Sequence, residues 1–159
     1  MIVKTKKYEL PKKTYIKVGL QTLLQQQWWV FPIPVAIALV AFIFPSFVWW
    51  FIITPLILLL LYILFWAIQF TGVTQLEQNK IMFQRLSYEI DSRQILIKLN
   101  AKQGSPIQWA QVKKAKVGKN YFLFILSKAQ FIYLPFKSFN SENDIKFTES
   151  ILKRKGYLK

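Results

Sequence analysis

The chain has 159 residues and carries 22 Lys and Arg against 7 Asp and Glu, for a formal net charge of +15. It contains no Cys and no His, which excludes disulfides, zinc–thiolate sites and cysteine nucleophiles and removes the commonest general base and metal ligand. A soluble protein this basic would first suggest a nucleic-acid partner, but the mean hydropathy of +0.27 and the uneven charge distribution favour a membrane protein that binds no nucleic acid.

The charges fall into two blocks that flank an uncharged segment. Residues 1–27 carry a net charge of +5 and residues 71–159 a net charge of +10, whereas residues 28–70 contain no charged side chain. A chain of this length makes one or two compact units. The pattern predicts a basic arm (residues 1–29), a transmembrane hairpin (residues 30–74) and a C-terminal domain (residues 80–159).

The basic arm is predicted to contain an amphipathic helix that begins near Pro11. Its apolar residues recur at helical spacing and its lysines lie nearer the start: Ile16, Leu20, Leu23 and Leu24, and Lys12, Lys13 and Lys17. Such a helix can lie in the cytoplasmic interface, with its apolar face in lipid and its lysines near anionic headgroups. Alternatively, the apolar face packs on the C-terminal domain.

The uncharged segment is predicted to be a hairpin of two transmembrane helices. One span needs about 20 apolar residues, and the uncharged run has 43. Residues 28–50 would form the first crossing and residues 51–70 the return, with the turn within residues 45–54, at Pro45-Ser46 or at Thr54-Pro55. Four tryptophans are predicted to anchor the spans at the membrane interfaces: Trp28, Trp29, Trp49 and Trp50.

Both flanks of the hairpin are basic, which predicts its orientation. Two spans place both termini on one side, and the positive-inside rule assigns that side to the cytoplasm of a bacterial inner membrane. The spans carry no ionisable residue, unlike most functional intramembrane sites. The chain is therefore expected to be neither a transporter by itself nor a receptor for large external ligands.

The C-terminal domain begins where the periodicity changes from helix to strand. Alternating apolar residues bounded by turn residues predict strands over residues 80–91, 94–100, 106–112, 121–127 and 129–136. Residues 141–156 then predict a helix, with Ser141 as its N-cap, Glu142 and Asp144 in its first turn and Gly156 after its end. The expected class is α+β, a small barrel or bent antiparallel sheet capped by a C-terminal helix.

Three local segments resemble the YcxB-like family of bacterial membrane proteins. They are SYEIDSRQILIKL (residues 87–99), IQWAQV (residues 107–112, with Trp109) and IYLPFKSF (residues 132–139, with Pro135 and Phe139). The resemblance implies two adjacent transmembrane helices followed by a PH-like cytoplasmic domain. It implies no established biochemical activity, and PH-like folds bind phosphoinositides, peptides or neither.

A basic surface of the C-terminal domain is the best candidate site. Its predicted members are Lys102, Lys113, Lys114, Lys116, Lys119, Lys128, Lys153, Arg154 and Lys155. On a strand, Lys114 and Lys116 share one face and Lys113 takes the other. Such a surface suits anionic lipid or an acidic partner, although a membrane-proximal cytoplasmic domain can also be basic for solubility and topology alone.

Other residue patterns give weaker predictions. Glu89 and Asp91 share one face of a strand, where paired carboxylates can do acid–base or metal chemistry, but they lie beside a turn and are expected to be solvated. Trp109 and Tyr133 could anchor a partner, and a core role is favoured for Trp109. No catalytic residues, cofactor or metal site are predicted.

The sequence leads to three functional hypotheses. The first is a non-catalytic, membrane-anchored adaptor that presents its basic domain to a protein partner, to copies of itself or to anionic lipid at the cytoplasmic leaflet. The second is protection of the membrane, such as immunity against membrane-active peptides. The third is an unrecognised enzyme, which would require a buried polar constellation inside the domain.

Overall fold

The computed structural model describes residues 2–100 and 103–158, so Lys102 of the predicted basic surface lies outside the described residues. The chain divides into two compact units. One, the strand domain, combines Met1–Lys12 with Gln75–Lys159; the other, the apolar unit, is Lys13–Thr74. The apolar unit is therefore an insertion between two parts of the strand domain. The strands and helices together confirm the α+β class.

Antiparallel strands build the strand domain, and in the described residues they form two sheets. The first sheet has the order β1 (Val3–Lys4), β2 (Ser87–Ile90), β3 (Gln94–Lys98) and β4 (Gly104–Gln108). The second has the order β5 (Lys114–Val117), β6 (Tyr121–Ile125) and β7 (Phe131–Pro135). The small closed barrel is not formed among the described residues, because the strands separate into these two sheets.

Strand β1 comes from the N-terminal arm and was not predicted. Val3 is fully buried and lies opposite Ile90 in β2. The Thr5 N–H donates to the Tyr88 carbonyl at 2.9 Å, and the Tyr88 N–H donates to Thr5 Oγ1 at 2.9 Å. The arm thus begins as part of the sheet, even though 83 positions separate the two hydrogen-bonded residues.

Two predicted strands differ from those in the structure. The strand predicted from Lys80 begins at Ser87, because Glu77–Phe83 forms 3-10 turns before the sheet starts. The strand predicted over residues 106–112 ends at Gln108, and Trp109–Gln111 is a short 3-10 helix. Strands β3, β6 and β7 lie within their predicted ranges, whereas β4 begins two residues before its range and β5 lies outside all of the predicted ranges.

Helix α4 (Glu142–Arg154) has both predicted caps. Ser141 Oγ accepts a hydrogen bond from the Asp144 N–H at 3.2 Å. Gly156 has φ +77°, and the N–H groups of Gly156 and Tyr157 donate to the carbonyls of Lys153 and Leu152. This is the Schellman arrangement, which suits glycine because a Cβ is unfavourable at positive φ. The helix prediction is confirmed at both ends.

The core of the strand domain lies among the two sheets and α4. Phe122 and Phe124 of β6 are fully buried, and Leu152 of α4 is buried in the same cluster. Strand β6 is the central strand of its sheet, and its side chains from Phe122 to Ile125 are buried on both faces. Its apolar run therefore reflects a central strand, one of the alternatives expected for residues 121–127.

The apolar unit contains three α-helices within the described residues: α1 (Lys12–Gln26), α2 (Pro32–Leu39) and α3 (Val48–Gln75). Only Pro45–Gln75 is both long and apolar enough to span a membrane among the helices described. Residues 28–50, predicted as one crossing, are broken instead. Pro32 and Pro34 lie at the start of α2, where a proline has no N–H to donate, and non-helical backbone at Phe44 (φ −124°, ψ 75°) separates the continuation of α2 from Pro45. Two membrane-spanning helices are thus not found in the part of the chain that the structure describes.

Helix α1 packs against α3 inside the apolar unit. Tyr15 is fully buried, and its ring meets Phe70 edge-to-face with centroids 6.0 Å apart. Gly19 lies directly beneath the same phenylalanine, so that a Cβ there would come within 2.7 Å of the Phe70 ring. The sequence predicts that the apolar face of the arm lies in the lipid interface or on the C-terminal domain. Neither prediction includes this contact with α3.

Candidate functional site

Strand β5 carries part of the predicted basic surface at the edge of the second sheet. Lys114 is exposed, Ala115 is buried and Lys116 is half-buried, so that the two lysines share the outer face. Burial lowers the pKa of Lys116, and the positive charge of the nearby Lys114 lowers it further by a smaller amount. Lysines on an edge strand also discourage unwanted strand pairing, which gives this cluster a structural role beside any binding role.

The sheet register decides which lysines come together. The Lys113 N–H donates to the Ile125 carbonyl at 2.8 Å, and Lys114 lies opposite Ile125. The start of β5 therefore lies beside the end of β6 and the turn that carries Lys128. Lys119 lies in the β5–β6 turn at the opposite end of the strand, six residues and up to about 20 Å from Lys113.

Tyr157, which follows α4, brings the C-terminal cations close to the start of β5. The Tyr157 hydroxyl donates to the carbonyls of Trp109 at 2.6 Å and Val112 at 3.0 Å. Because Val112 precedes Lys113, the last turn of α4 lies near the start of β5. We define the basic end as Lys113, Lys114, Lys128, Lys153, Arg154 and Lys155; all six residues are exposed.

Five cations of the basic end have no acidic partner among the described residues. In the described residues, Glu89 pairs with Lys98 at 2.8 Å and with Lys4 at 3.8 Å. No described carboxylate pairs with Lys113, Lys114, Lys153, Arg154 or Lys155. These charges are therefore available to anions in solution or at a membrane surface.

The two predicted carboxylates have structural roles. Glu89 holds β1 and β3 through its lysine partners. Asp91 Oδ1 accepts hydrogen bonds from the N–H groups of Arg93 at 2.6 Å and Gln94 at 2.8 Å, which closes the β2–β3 turn. Among the described residues no cluster of three or more acidic side chains could hold a metal ion.

Trp109 and Tyr133 have different environments. Trp109 is 3% exposed, its Nε1–H donates to the Asp91 carbonyl at 2.9 Å, and its ring meets Phe124 edge-to-face. It therefore belongs to the core. Tyr133 is half-buried and stacks on Tyr121, with ring centroids 4.7 Å apart.

An apolar cavity of about 220 Å³ lies between the two sheets and was not predicted. Its wall includes Leu86, Ile97 and Ile107 from the first sheet and its approaches, and Leu126, Phe131 and Ile132 from the second. Tyr88, Gln130 and Tyr133 add polar groups. Residues from so many separate strands give no local sequence signal, so only the fold brings them together.

The predicted membrane anchors lie in the apolar unit. The four tryptophans are all exposed: Trp28 and Trp29 lie in a short 3-10 helix, and Trp49 and Trp50 in the first turn of α3. On α1, the side chains of Lys12, Lys13 and Lys17 are exposed, whereas Ile16, Leu20 and Leu24 are half-buried. The more deeply buried face of α1 instead contains Tyr15, Gly19, Thr22 and Leu23.

The model of the YcxB-like protein family matches residues 90–152. We call residues 90–152, which are similar to this family, the YcxB-like segment. This match confirms the resemblance predicted from the sequence. No curated protein and no solved structure gives a significant match to the chain.

The YcxB-like segment contains strands β3 to β7 and most of α4. It therefore includes Trp109, the lysines of β5 and much of the cavity wall. Strand β1, the apolar unit and Tyr88 lie before it. The basic end extends from inside the YcxB-like segment to the residues immediately after it.

Proposed function

We propose that this chain is a non-catalytic accessory protein of the bacterial inner membrane. In this proposal, the apolar unit anchors the strand domain at the cytoplasmic leaflet, and the basic end contacts a protein partner or anionic lipid. The observation that carries the proposal is the insertion of an apolar unit into a basic domain: residues 28–70 of that unit carry no charge, and most of their large apolar side chains are exposed.

The insertion supports an even number of membrane crossings. The chain leaves the strand domain after Lys12 and returns to it at Gln75. On both sides of that insertion the backbone is paired: Tyr8 and Leu86 donate N–H groups to each other's carbonyls, at 2.8 and 2.9 Å. Since one folded domain holds both flanks, both flanks belong to the same side of a membrane.

Helix dimensions support a hairpin with unequal arms. Pro45–Gln75, at about 1.5 Å per residue, is roughly 46 Å long and exceeds the ~30 Å hydrocarbon layer. Helical turns continue from Trp28 to Ile43, which gives an opposite arm of about 24 Å. The short arm would cross with local thinning of the bilayer, and the long one with tilt.

The flanking charges support the cytoplasmic side for the strand domain. Its basic arm and basic C-terminal part follow the positive-inside rule. Antiparallel sheets followed by a C-terminal helix also support the PH-like arrangement that the family resemblance implies. We assign no reaction to the domain, because Glu89 and Asp91 stabilise a strand pair and a turn.

The basic end is the surface through which we expect the domain to act. A Lys or Arg close to an anionic membrane surface contributes about 1 kcal/mol, so six such residues give strong attraction even if only some reach the surface. Anchoring also raises the effective concentration of the domain near any membrane-bound partner. A weak contact can therefore be sufficient.

Site-specific crosslinking in native membranes tests this proposal. A photoreactive residue replaces Lys114 at the basic end, and the matched control replaces Lys119, which is also exposed but lies at the opposite end of β5. We expect a discrete protein adduct or anionic-lipid adducts from position 114, reduced at least about tenfold at position 119. Changing Lys153, Arg154 and Lys155 to Gln should weaken the adduct at position 114. Equal yields from both positions, unaffected by the triple change, would overturn the proposal.

A further inference from the structure

The cavity between the two sheets is large and apolar enough to hold a ligand. Its volume of about 220 Å³ exceeds that of an apolar cavity of about 150 Å³ that is known to bind benzene. Nearly all of its wall is aliphatic or aromatic. A segment of hydrocarbon chain fits these properties, because it needs no hydrogen bonds from the wall.

Tyr88 contributes a hydroxyl group to this wall. Its side chain is only 8% exposed and borders the cavity. The paired backbone of Tyr88 and Thr5 fixes the base of the side chain. A tyrosine hydroxyl can donate one hydrogen bond, and an oxygen atom of a ligand in the cavity would accept it.

The protonation of Tyr88 suits hydrogen-bond donation. Burial, with a smaller contribution from Tyr8, raises the pKa of Tyr88 above its ordinary value. The pKa of Tyr8 is itself raised by burial and by the nearby Tyr133. All three hydroxyls thus remain protonated at neutral pH. Tyr88 can then donate to a carboxylate or a carbonyl oxygen.

The cavity is lined by the two chain segments that lead into and out of the apolar unit. Leu10 lies three positions before the start of the insertion at Lys13, and Met82 lies eight positions after its end at Thr74. On another side, Leu126 and Gln130 belong to the turn that carries the exposed Lys128. A hydrocarbon chain with an anionic head would therefore find an apolar wall, a hydroxyl donor and a nearby cation.

We propose that this cavity binds an acyl chain whose carboxyl or ester oxygen accepts a hydrogen bond from Tyr88, with Lys128 favouring an anionic headgroup. Free fatty acids and anionic phospholipids share this chemistry. The proposal goes beyond the function proposed above and uses the membrane anchoring only as a source of lipid.

Photoreactive lipids test the proposal on the full chain in phospholipid vesicles. One probe is a fatty acid with a diazirine in its acyl chain, and the other is phosphatidylglycerol with the same acyl chain. After irradiation, labelled peptides are quantified by mass spectrometry. Labelling of α3 reports contact with the bilayer, and labelling of the segments around Ile97 and Ile132 reports occupancy of the cavity. Failure of anchoring and failure of cavity binding are therefore distinguishable.

Paired variants make the test specific. Ile97→Phe fills the cavity and should reduce cavity labelling at least about fivefold, whereas Ile145→Phe changes an equally half-buried isoleucine outside the cavity wall. Tyr88→Phe keeps the ring but removes the hydroxyl, and should reduce labelling several-fold. Its control, Tyr121→Phe, removes a hydroxyl that does not border the cavity. Circular dichroism checks that each variant is folded.

The two probes distinguish a free fatty acid from a bilayer phospholipid as the source of the bound acyl chain. Cavity labelling by the fatty acid alone supports a free fatty acid as the ligand, and labelling by the phosphatidylglycerol probe supports a bilayer lipid. If neither probe labels the cavity, the proposal is overturned. Labelling that is unchanged by both Ile97→Phe and Tyr88→Phe overturns it as well.

Discussion

Gly19 allows an aromatic ring to lie against the backbone of α1. A Cβ at this position would lie 2.7 Å from Cε1 of Phe70, which is only 1% exposed and has little room to move. In the sequence this glycine only weakens the helix prediction. In the structure it is the residue that permits the contact between α1 and α3.

Gly19→Ala should therefore destabilise the apolar unit, even though alanine favours helix formation. We expect a net loss of about 1 to 3 kcal/mol, because overpacking outweighs the gain of up to about 1 kcal/mol in helix propensity. Thermal unfolding of the detergent-solubilised chain measures the change. Gly72→Ala is the matched control, since nothing lies within 4 Å of its added Cβ. Equal midpoints for both variants would contradict this packing.

Ser141 is a second residue whose role is local. Its hydroxyl satisfies the Asp144 N–H at the start of α4, so Ser141→Ala should cost about 1 kcal/mol in the free energy of unfolding. Ser92→Ala, at an exposed position in the β2–β3 turn, should leave that free energy within about 0.5 kcal/mol. Denaturant unfolding followed by circular dichroism distinguishes the two. A neutral Ser141→Ala would show that the cap contributes little.

At the level of elements, β1 ties the N-terminus to the sheet from the far side of the inserted unit. Its short pairing with β2 is extended by the reciprocal bonds of Thr5 and Tyr88 and by the bridge between Tyr8 and Leu86. Asn140 Nδ2 also donates to the Lys4 carbonyl at 2.6 Å. The N-terminal residues are thus a structural part of the strand domain.

Val3→Asp should release this strand. Val3 is fully buried, and an unpaired carboxylate there would be strongly destabilising. Trypsin should then cut after Lys6 or Lys7 about tenfold faster or more, because local opening exposes the segment. Ile2→Asp changes a position that is 55% exposed and is the control. Trypsin should cleave this variant at the same rate as the unchanged protein. Equal rates for the two variants would indicate that β1 does not hold the segment.

The elements also show which features can be predicted from sequence. Both caps of α4 are local: Ser141 and Gly156 act on backbone groups a few residues away, so the pattern is sufficient. Strand β1 has no such signal, because Val3 acquires its partner only through a fold that joins distant segments. Trp109 was expected on a strand, and its burial in a 3-10 helix depends on the packing of Phe124 and Tyr157.

The candidate surface follows the same rule. The sequence identifies the lysines, but only the sheet register separates Lys119 from Lys114, and only the Tyr157 hydrogen bonds bring the end of α4 to the start of β5. The cavity escapes sequence reasoning entirely because its wall comes from both sheets and both connecting segments. Features that depend on neighbouring residues, such as the caps of α4, can be predicted from the sequence. Features that depend on distant segments coming together, such as the cavity, cannot.

At the scale of the whole molecule, the insertion of the apolar unit connects fold and function. A single membrane-spanning helix would place the two parts of the strand domain on opposite sides, where β1 could not pair with β2. In the proposed membrane topology, the apolar unit therefore returns to the side from which it leaves. Our central claim is that it does so as a hairpin, with both termini in the cytoplasm.

Single-cysteine labelling tests this claim most directly, because the natural chain has no Cys and each introduced thiol is unique. Lys7→Cys, Ser46→Cys and Lys146→Cys place thiols at exposed positions before, within and after the apolar unit. With a membrane-impermeant maleimide, we predict that intact cells label only Ser46→Cys and that lysed cells label all three. Labelling of Lys7→Cys and Lys146→Cys from opposite sides, or labelling of Ser46→Cys only after lysis, would contradict the hairpin.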